Sequence, residues 1–168
     1  RLFESLAVLI DAKAAQFEPV HGLDHDALAL AFSRRNQGTV HALTEARITL
    51  IDRVGRRQPR GRAASMLAMF FVAQDIQERI TSSHYPYDEL TTALYHSDLM
   101  FRFGRLIRLQ ARGCRERADA IRRIAPFDAL ALPSTALDDV CDAMAYHQSH
   151  SPPEQAVDDA LAALLRTV

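Results

Sequence analysis

Two short segments hold most of the side chains that could support binding or proton transfer. The first, AQDIQERITSSHYPY at residues 73–87, places Asp75 four residues before Arg79. Gln74 and Glu78 have the same spacing, so each pair can meet on one helix face. This polar set directly follows MLAMFFVA, the most apolar run of the chain. Two interpretations stay open: a buried or interfacial ion-pair network, and an exposed helix end with ordinary charge pairs.

The second segment, YHSDLMFRFGRLIRLQARGCRER at residues 95–117, is rich in arginine. At helical spacing one stripe of it consists of Arg105, Arg108, Arg112 and Arg115. Such a stripe can bind phosphate, lipid headgroups or an acidic partner. Acidic residues of neighbouring helices could equally neutralise it, as Asp98 can pair with Arg102 at i, i+4. The net charge of −1 does not favour nucleic acid as a partner.

Histidines near acidic residues raise the question of a metal site. In HGLDHD, His21 and His25 alternate with Asp24 and Asp26. Zinc requires three or four convergent ligands, and no second cluster completes this one. Helix capping explains both aspartates, and His147 and His150 near a helix end complement the helix dipole. We therefore expect no metal and no cofactor.

Signatures of catalysis are missing from the sequence. It contains no GxSxG, no HExxH and no glycine-rich phosphate loop. His96, Ser97 and Asp98 are consecutive, and consecutive helical residues point in different directions, so they do not make a triad. The two cysteines, Cys114 and Cys141, have no CxxC spacing and fit a reducing compartment. We expect no catalytic activity of the chain's own.

The elements that position these residues are all helical. Apolar residues recur at spacings of three and four, and no segment alternates as a strand does. Glycine and proline divide the chain into helices at about 2–17, 24–54, 63–82, 87–124 and 135–147, with a sixth that starts at SHSPPE. Asp24 is the expected N-cap of the second helix, residues 36–39 are a weak point in it, and GRRQPRGR is a loop. The third and most apolar helix should lie at the centre. The predicted fold is an all-α antiparallel bundle of about six helices, two of them long.

Length and hydropathy limit what the chain can be. Its 168 residues, 48% of them apolar and 24% charged, suit one globular domain. The longest apolar stretch, residues 63–73, is shorter than the roughly 20 residues of a membrane span. The sequence begins at Arg1 without methionine and opens directly on an amphipathic helix. We therefore expect a soluble domain that belongs to a longer protein.

The two arginine- and acid-bearing segments resemble the FUSC-like inner-membrane proteins, in particular the YccS/YhfK branch of the fusaric-acid-resistance superfamily. The family pattern reads AQDIHERxSSSHxxY and, further on, HSDxLFRxxRLLxxQAxACR; Gln77 departs from it where the family often has histidine. The opening LFESLAVLIDAKAAQFEP is similar to a YLxxKxxxFxP-like phrase of the family. The resemblance covers residues 1–125 as a family-like core, and residues 126–168, an expected C-terminal helical pair, match nothing. The motif positions taken as structural or interaction candidates are Gln74, Asp75, Glu78, Arg79, His84, Tyr87, His96, Asp98, Arg102, Arg105, Gln110 and Arg115.

The resemblance implies a cellular location and a position within a longer protein, but no reaction or substrate. Members carry two blocks of membrane helices around a cytoplasmic region and, by analogy with aromatic-acid efflux proteins, are transporters. This chain would be that region at the bacterial inner membrane, with an assembly or regulatory role. Its expected partners are the membrane blocks of its own chain and a second copy, and a small-molecule effector stays open.

Three hypotheses follow for the motif residues. In the first, the acid–arginine groups of the two segments are structural and lock the third helix to the fourth. In the second, His84, Tyr85, Tyr87 and His96 line a pocket for an aromatic acid. In the third, the arginine stripe binds a partner protein or anionic lipid.

Overall fold

The computed structural model describes residues 1–18, 24–54, 60–82, 87–125, 132–150 and 158–162. Every regular element in these ranges is a helix, which confirms the all-α prediction. The elements are α1 (Leu2–Ala14), a 3-10 turn (Ala15–Phe17), α2 (His25–Val54), α3 (Arg62–Ser82), α4 (Tyr87–Ala93), α5 (Leu99–Arg123) and α6 (Leu132–His150). Residues 158–162 form a further short helical stretch.

Helix α1 lies at the centre and contacts α2, α3 and α5. Its apolar residues recur every three or four positions, so a wide stripe faces the interior. The fully buried side chains of this stripe and the following turn are Leu6, Leu9, Ile10 and Phe17. The buried side chains of α5 include Leu99, Met100, Phe103 and Leu106. Helix α6 packs on α5, and its buried side chains include Val140 and Met144. Each such side chain contributes about 1.5–3 kcal/mol on burial.

A ladder of exposed ion pairs follows the antiparallel register of α1 and α5. Its three rungs are Glu4–Arg122, Asp11–Arg115 and Glu18–Arg108. Acids and arginines are each spaced by seven residues, which is two helical turns, so all three rungs lie on one side of the helix pair. The ladder therefore complements the apolar seam that holds the two helices together.

Gly104 of α5 lies close to the end of α1 and the turn that follows it. A Cβ atom at this position would lie 3.4 Å from Phe17 Cβ and 3.6 Å from the carbonyl oxygen of Ala14. That spacing leaves room for a methyl group and for nothing larger, so the small residue lets α5 cross the end of α1.

Helix α2 begins where the sequence predicts, but it lacks the predicted weak point in its middle. Asp24 Oδ1 accepts the backbone N–H of Ala27 at 2.9 Å, which confirms the N-cap. The weak point at residues 36–39 does not interrupt the helix, which is continuous to Val54. Thr39 is fully buried there, and its hydroxyl hydrogen-bonds Ser5 Oγ at 3.1 Å. Packing on α1 thus offsets the low helix propensity of this stretch.

The predicted helix over residues 87–124 is wrong as a single element. A turn at residues 94–98 separates α4 from α5. Ser97 Oγ accepts the backbone N–H of Leu99 at 3.0 Å, so its side chain competes with the helical hydrogen bonds. Leu90 of α4 and Leu94 of the turn both belong to the buried core at this break.

The predicted central position of α3 is also wrong. Although it contains the most apolar run, only Ala73 and Ile80 of α3 are buried, and Phe71 is 57% exposed. It packs on α2 and, to a smaller extent, on α1. Apolar composition alone does not decide which of several apolar helices the others surround.

The remaining expectations concern the C-terminal part and the loops. Helix α6 begins at Leu132 rather than at residues 134–135, with Pro133 in its first turn, where its lack of an N–H costs nothing. The loop residues 55–59, the segment 126–131 and most of SHSPPE lie outside the described residues. The boundary between core and C-terminal pair stays a prediction. Among the helices that are described, none is both long and apolar enough to cross a membrane.

Candidate functional site

Motif residues from both sequence segments line a groove between α3 and α5. Asp75 and Arg79 from α3 and Gln110 from α5 line it, above a floor that includes Ile10 of α1. Its volume is about 460 Å³. The two sequence segments that resemble the family therefore converge in space, although α3 and α5 make little direct contact.

The ion pairs of this group do not cross the groove. Arg79 Nε lies 3.1 Å from Asp75 Oδ2 on the same helix, and both side chains are about 60% exposed. Gln74 and Glu78 are exposed on α3 as well. The expected lock between the third and fourth helices is thus not formed by these pairs, because an i, i+4 partner on the same helix is nearer than any on the next one.

Other motif residues, all from the second segment, line a polar cleft where the turn before α5 faces α6. Its volume is about 710 Å³. His96, Ser97, Asp98 and Arg102 line one side, and Asp142, Tyr146, His147 and His150 of α6 line the other. Imidazoles, carboxylates and one guanidinium can all bond a polar ligand here. No group of three or more histidine, cysteine or carboxylate side chains in the described ranges is placed to hold a metal ion.

Arg102 ties this cleft together. Its guanidinium lies 2.7 Å from Asp98 Oδ2, and a second nitrogen donates to the backbone carbonyl of Asp139 in α6 at 3.4 Å. The hydrogen bond to Asp98 raises the pKa of Arg102 above its ordinary value, so the side chain is cationic at any relevant pH. Arg105 reaches the Asp139 carboxylate at 3.7 Å. Both arginines thus fasten α5 to α6 rather than to α3.

These contacts rank two substitutions that we expect to differ. Replacing Asp75 with alanine removes one exposed i, i+4 pair and should change the free energy of unfolding by less than about 1 kcal/mol. Replacing Arg102 with alanine also removes a contact between helices, and should cost roughly 1–2 kcal/mol. Thermal melts of both variants check this order, and a larger loss for the Asp75 variant would contradict it.

The arginine stripe is internally paired in the structure. Arg108 and Arg115 bind Glu18 and Asp11, and Arg112 binds Glu116 on its own helix at 2.8 Å. With the contact of Arg105 to α6, every arginine of the stripe has a carboxylate partner. Of the two readings of the stripe, the geometry confirms neutralisation by neighbouring acids.

A lysine that the sequence reading did not single out as a site occupies an aromatic box. Lys13, the only lysine of the chain, is 4% exposed. Its Nζ lies 5.3 Å from the ring centre of Phe32 and 5.6 Å from that of Tyr87. Burial lowers the pKa of this amine to about 8. The sequence signal was a charged residue at a core position of the α1 stripe.

Tyr87 links that box to the core. Its ring meets Phe17 edge to face, with centroids 5.2 Å apart, and His25 stacks against it at 6.1 Å. Of the aromatic-acid pocket expected from the sequence, His84 and Tyr85 lie outside the described residues. His96 lines the separate cleft against α6.

The cysteines contribute no nucleophile to either site. Cys114 is buried, and the loss of solvation raises the pKa of its thiol to about 11. It is therefore protonated at neutral pH and packs as an apolar residue. Cys141 is exposed, and both thiols are free.

An apolar surface lies on the outer side of α2 and α3. Ile48 and Ile51 on α2 and Phe71 on α3 are 56%, 59% and 57% exposed. Ile51 and Phe71 line one shallow groove with Arg47 and Gln74. We call the residues Arg47, Ile48, Ile51, Phe71 and Gln74 the α2–α3 face.

Comparison with known proteins agrees with the resemblance of the two segments. The family model of the FUSC-like inner membrane protein yccS matches residues 1–168. The chain is 33% identical over 128 residues to the inner membrane protein YccS of Escherichia coli, and 32% identical over 127 residues to an uncharacterised protein of Haemophilus influenzae. Each match covers 76% of this chain and 18% of the relative, so the chain spans about a fifth of the length of these proteins. No solved structure matches it. Because the family model covers the whole chain, the chain belongs to the family of FUSC-like inner membrane proteins.

Proposed function

We propose that this chain is the cytoplasmic domain of an inner-membrane transporter, and that it assembles the transporter without catalysing a reaction itself. Substrate would pass through membrane helices elsewhere in the full-length protein. The observation that carries the assembly role is the α2–α3 face. Its large apolar side chains are more than half exposed and adjacent, and a patch of this kind marks an interaction surface.

The occupant that we propose for the α2–α3 face is a second copy of the same face. The α2–α3 face carries Arg47 on α2, and the exposed Glu78 lies one helical turn after Gln74 on α3, so both signs of charge are available at or beside this face for an identical partner. A two-fold interface requires this kind of self-complementarity. The net charge of −1 also leaves little long-range repulsion between copies.

The cytoplasmic side is supported by chemistry as well as by the resemblance. Both cysteines are free, and free thiols persist in a reducing compartment. The scaffold alternative, in which the arginine stripe binds anionic lipid, is less favoured because carboxylates already pair with its arginines. Salt bridges within the chain leave less charge for a lipid headgroup to recruit.

Light scattering over a dilution series tests the assembly role. We expect a dimer that dissociates on dilution, and a monomer at the same concentrations for Ile51→Glu and for Phe71→Glu. Leu137→Glu is the matched control, since Leu137 is a partly exposed apolar residue on α6 and should leave the dimer intact. A wild-type chain that is monomeric throughout, or glutamate variants that still dimerise, would overturn this role of the α2–α3 face.

A further inference from the structure

A cavity of about 580 Å³ lies between α1, α2, α3 and α5. Its walls come from all four helices and are mainly apolar, with Phe3, Leu50, Met66, Met69, Phe70 and Ile121 among them. Binding sites for small molecules measure roughly 300–1,000 Å³ and are lined in this way. Neither of the two motif-bearing sites described above includes this cavity, apart from Phe3, which also borders the α3–α5 groove.

The charges at the mouth of the cavity compensate one another. Arg122 is paired with both Glu4 and Asp119, so its guanidinium already has two carboxylate partners. The other two charged residues at the rim, Arg1 and Glu45, have opposite signs, and their side chains are 93% and 53% exposed. Water screens such exposed charges strongly. The charged residues of this rim are therefore either paired with carboxylates or screened by water, and none of them presents a buried, unpaired charge to an ion.

A polar, uncharged side chain of the lining also has a hydrogen-bond partner. Thr49 borders the cavity, and its hydroxyl donates to the backbone carbonyl of Glu45 at 2.8 Å. A ligand in the cavity would therefore contact mainly apolar groups and would meet few polar groups that lack a hydrogen-bond partner. Two of the contacts come from methionines, whose unbranched side chains adapt to ligands of different shape.

The wall formed by α3 is the least extensively packed of the four. This helix is held by α2 and, less extensively, by α1, and most of its side chains are not fully buried. Phe3 also borders the α3–α5 groove, which continues the gap between α3 and α5 beyond the cavity. A small displacement of α3 would therefore change the width of the cavity, whereas the α1–α5 seam is held by its own, more extensive contacts.

We propose that this cavity is a binding site for an uncharged, apolar small molecule. The size of the cavity, its apolar walls and its compensated rim carry the inference. It does not rest on the proposed assembly role. Ile48 belongs to both surfaces, but Ile51 and Phe71, whose substitutions test the assembly role, do not line the cavity.

The test uses the neutral fluorescent probe N-phenyl-1-naphthylamine and its anionic relative 8-anilino-1-naphthalenesulfonate. We expect the neutral probe to bind saturably with one site per chain, and more tightly than the anionic one. Ala42→Leu and Ala46→Leu each add a side chain to the α2 wall and should weaken binding about tenfold or more. Ala31→Leu is the matched control, because the same substitution falls on an exposed position of α2 away from the cavity.

Each outcome decides the proposal. Weaker binding in the filled variants alone, with circular dichroism and melting temperature maintained, supports it. Two filling positions are used so that one misfolded variant does not end the test. Non-saturable binding, equal affinity in the filled and control variants, or tighter binding of the anionic probe would overturn it. Ile51→Glu should bind the neutral probe as the wild type does, so failure of the assembly role and failure of the cavity site are distinguishable.

Discussion

Replacing Lys13 with methionine is expected to raise the melting temperature at pH 7 by roughly 6–12 °C. The amine is almost completely buried, and burial lowers its pKa from 10.5 to about 8. Holding the proton in the folded state therefore costs about 3 kcal/mol relative to the unfolded chain. Methionine fills a similar volume between Phe32 and Tyr87 without carrying a charge, so this cost disappears.

The pH dependence of stability provides the sharper measurement. Below pH 8 both the folded and the unfolded wild type hold the proton on Lys13, and the full cost applies. Between pH 8 and 10.5 the unfolded chain binds the proton more tightly, so the contribution of this residue to stability rises with pH. The melting temperatures of wild type and Lys13→Met should therefore converge between pH 7 and pH 10. No other lysine titrates in this window. A variant that melts below the wild type at pH 7 would contradict the burial cost.

Replacing Phe103 with alanine should cost about 3–5 kcal/mol of unfolding free energy. The side chain is fully buried on α5, and its ring stacks on Phe17 with centroids 6.2 Å apart. Phe17 in turn meets Tyr87, so the substitution opens a cavity at the end of an aromatic column that joins the 3-10 turn after α1 to α4 and α5. Denaturant unfolding followed by circular dichroism measures the loss.

The neighbouring Phe101 supplies the matched control. It undergoes the same substitution on the same helix, but its side chain is 56% exposed. Phe101→Ala should therefore change the free energy of unfolding by less than about 1 kcal/mol. Losses of similar size in the two variants would show that the aromatic column does not carry the stability assigned to it.

Much of the secondary structure could be predicted from local sequence. Helix α1 and the 3-10 turn match the predicted range of 2–17, and α2 begins after the predicted cap at Asp24. These features depend on side chains within a few residues of one another: the three-and-four spacing of apolar residues, and a carboxylate able to reach the first free N–H groups. The break before α5 was missed because the competition between Ser97 and the helical hydrogen bonds is close, and the burial of Leu90 and Leu94 decides it.

Only some features of the candidate sites could be predicted from the sequence. The sequence named Asp98 and Arg102 as an i, i+4 pair, and the structure has it at 2.7 Å. It also named acidic neighbours as one way to neutralise the arginine stripe. Which acids these are follows from the antiparallel register of α1 and α5, which brings together residues about 100 positions apart. The role of His84 stays a prediction.

By itself, then, the sequence determined the helical class, the positions of most helices, the family and the local charge pairs, because each depends on residue types at short separation or on similarity along the chain. Only the tertiary structure decided that α1 rather than α3 lies at the centre, and that Lys13 is enclosed by aromatic rings. It also left the α2–α3 face exposed and the cavity open. These outcomes depend on how several apolar helices compete for the same interior. That competition is decided by the summed contacts and fit of the whole bundle, which no single segment contains.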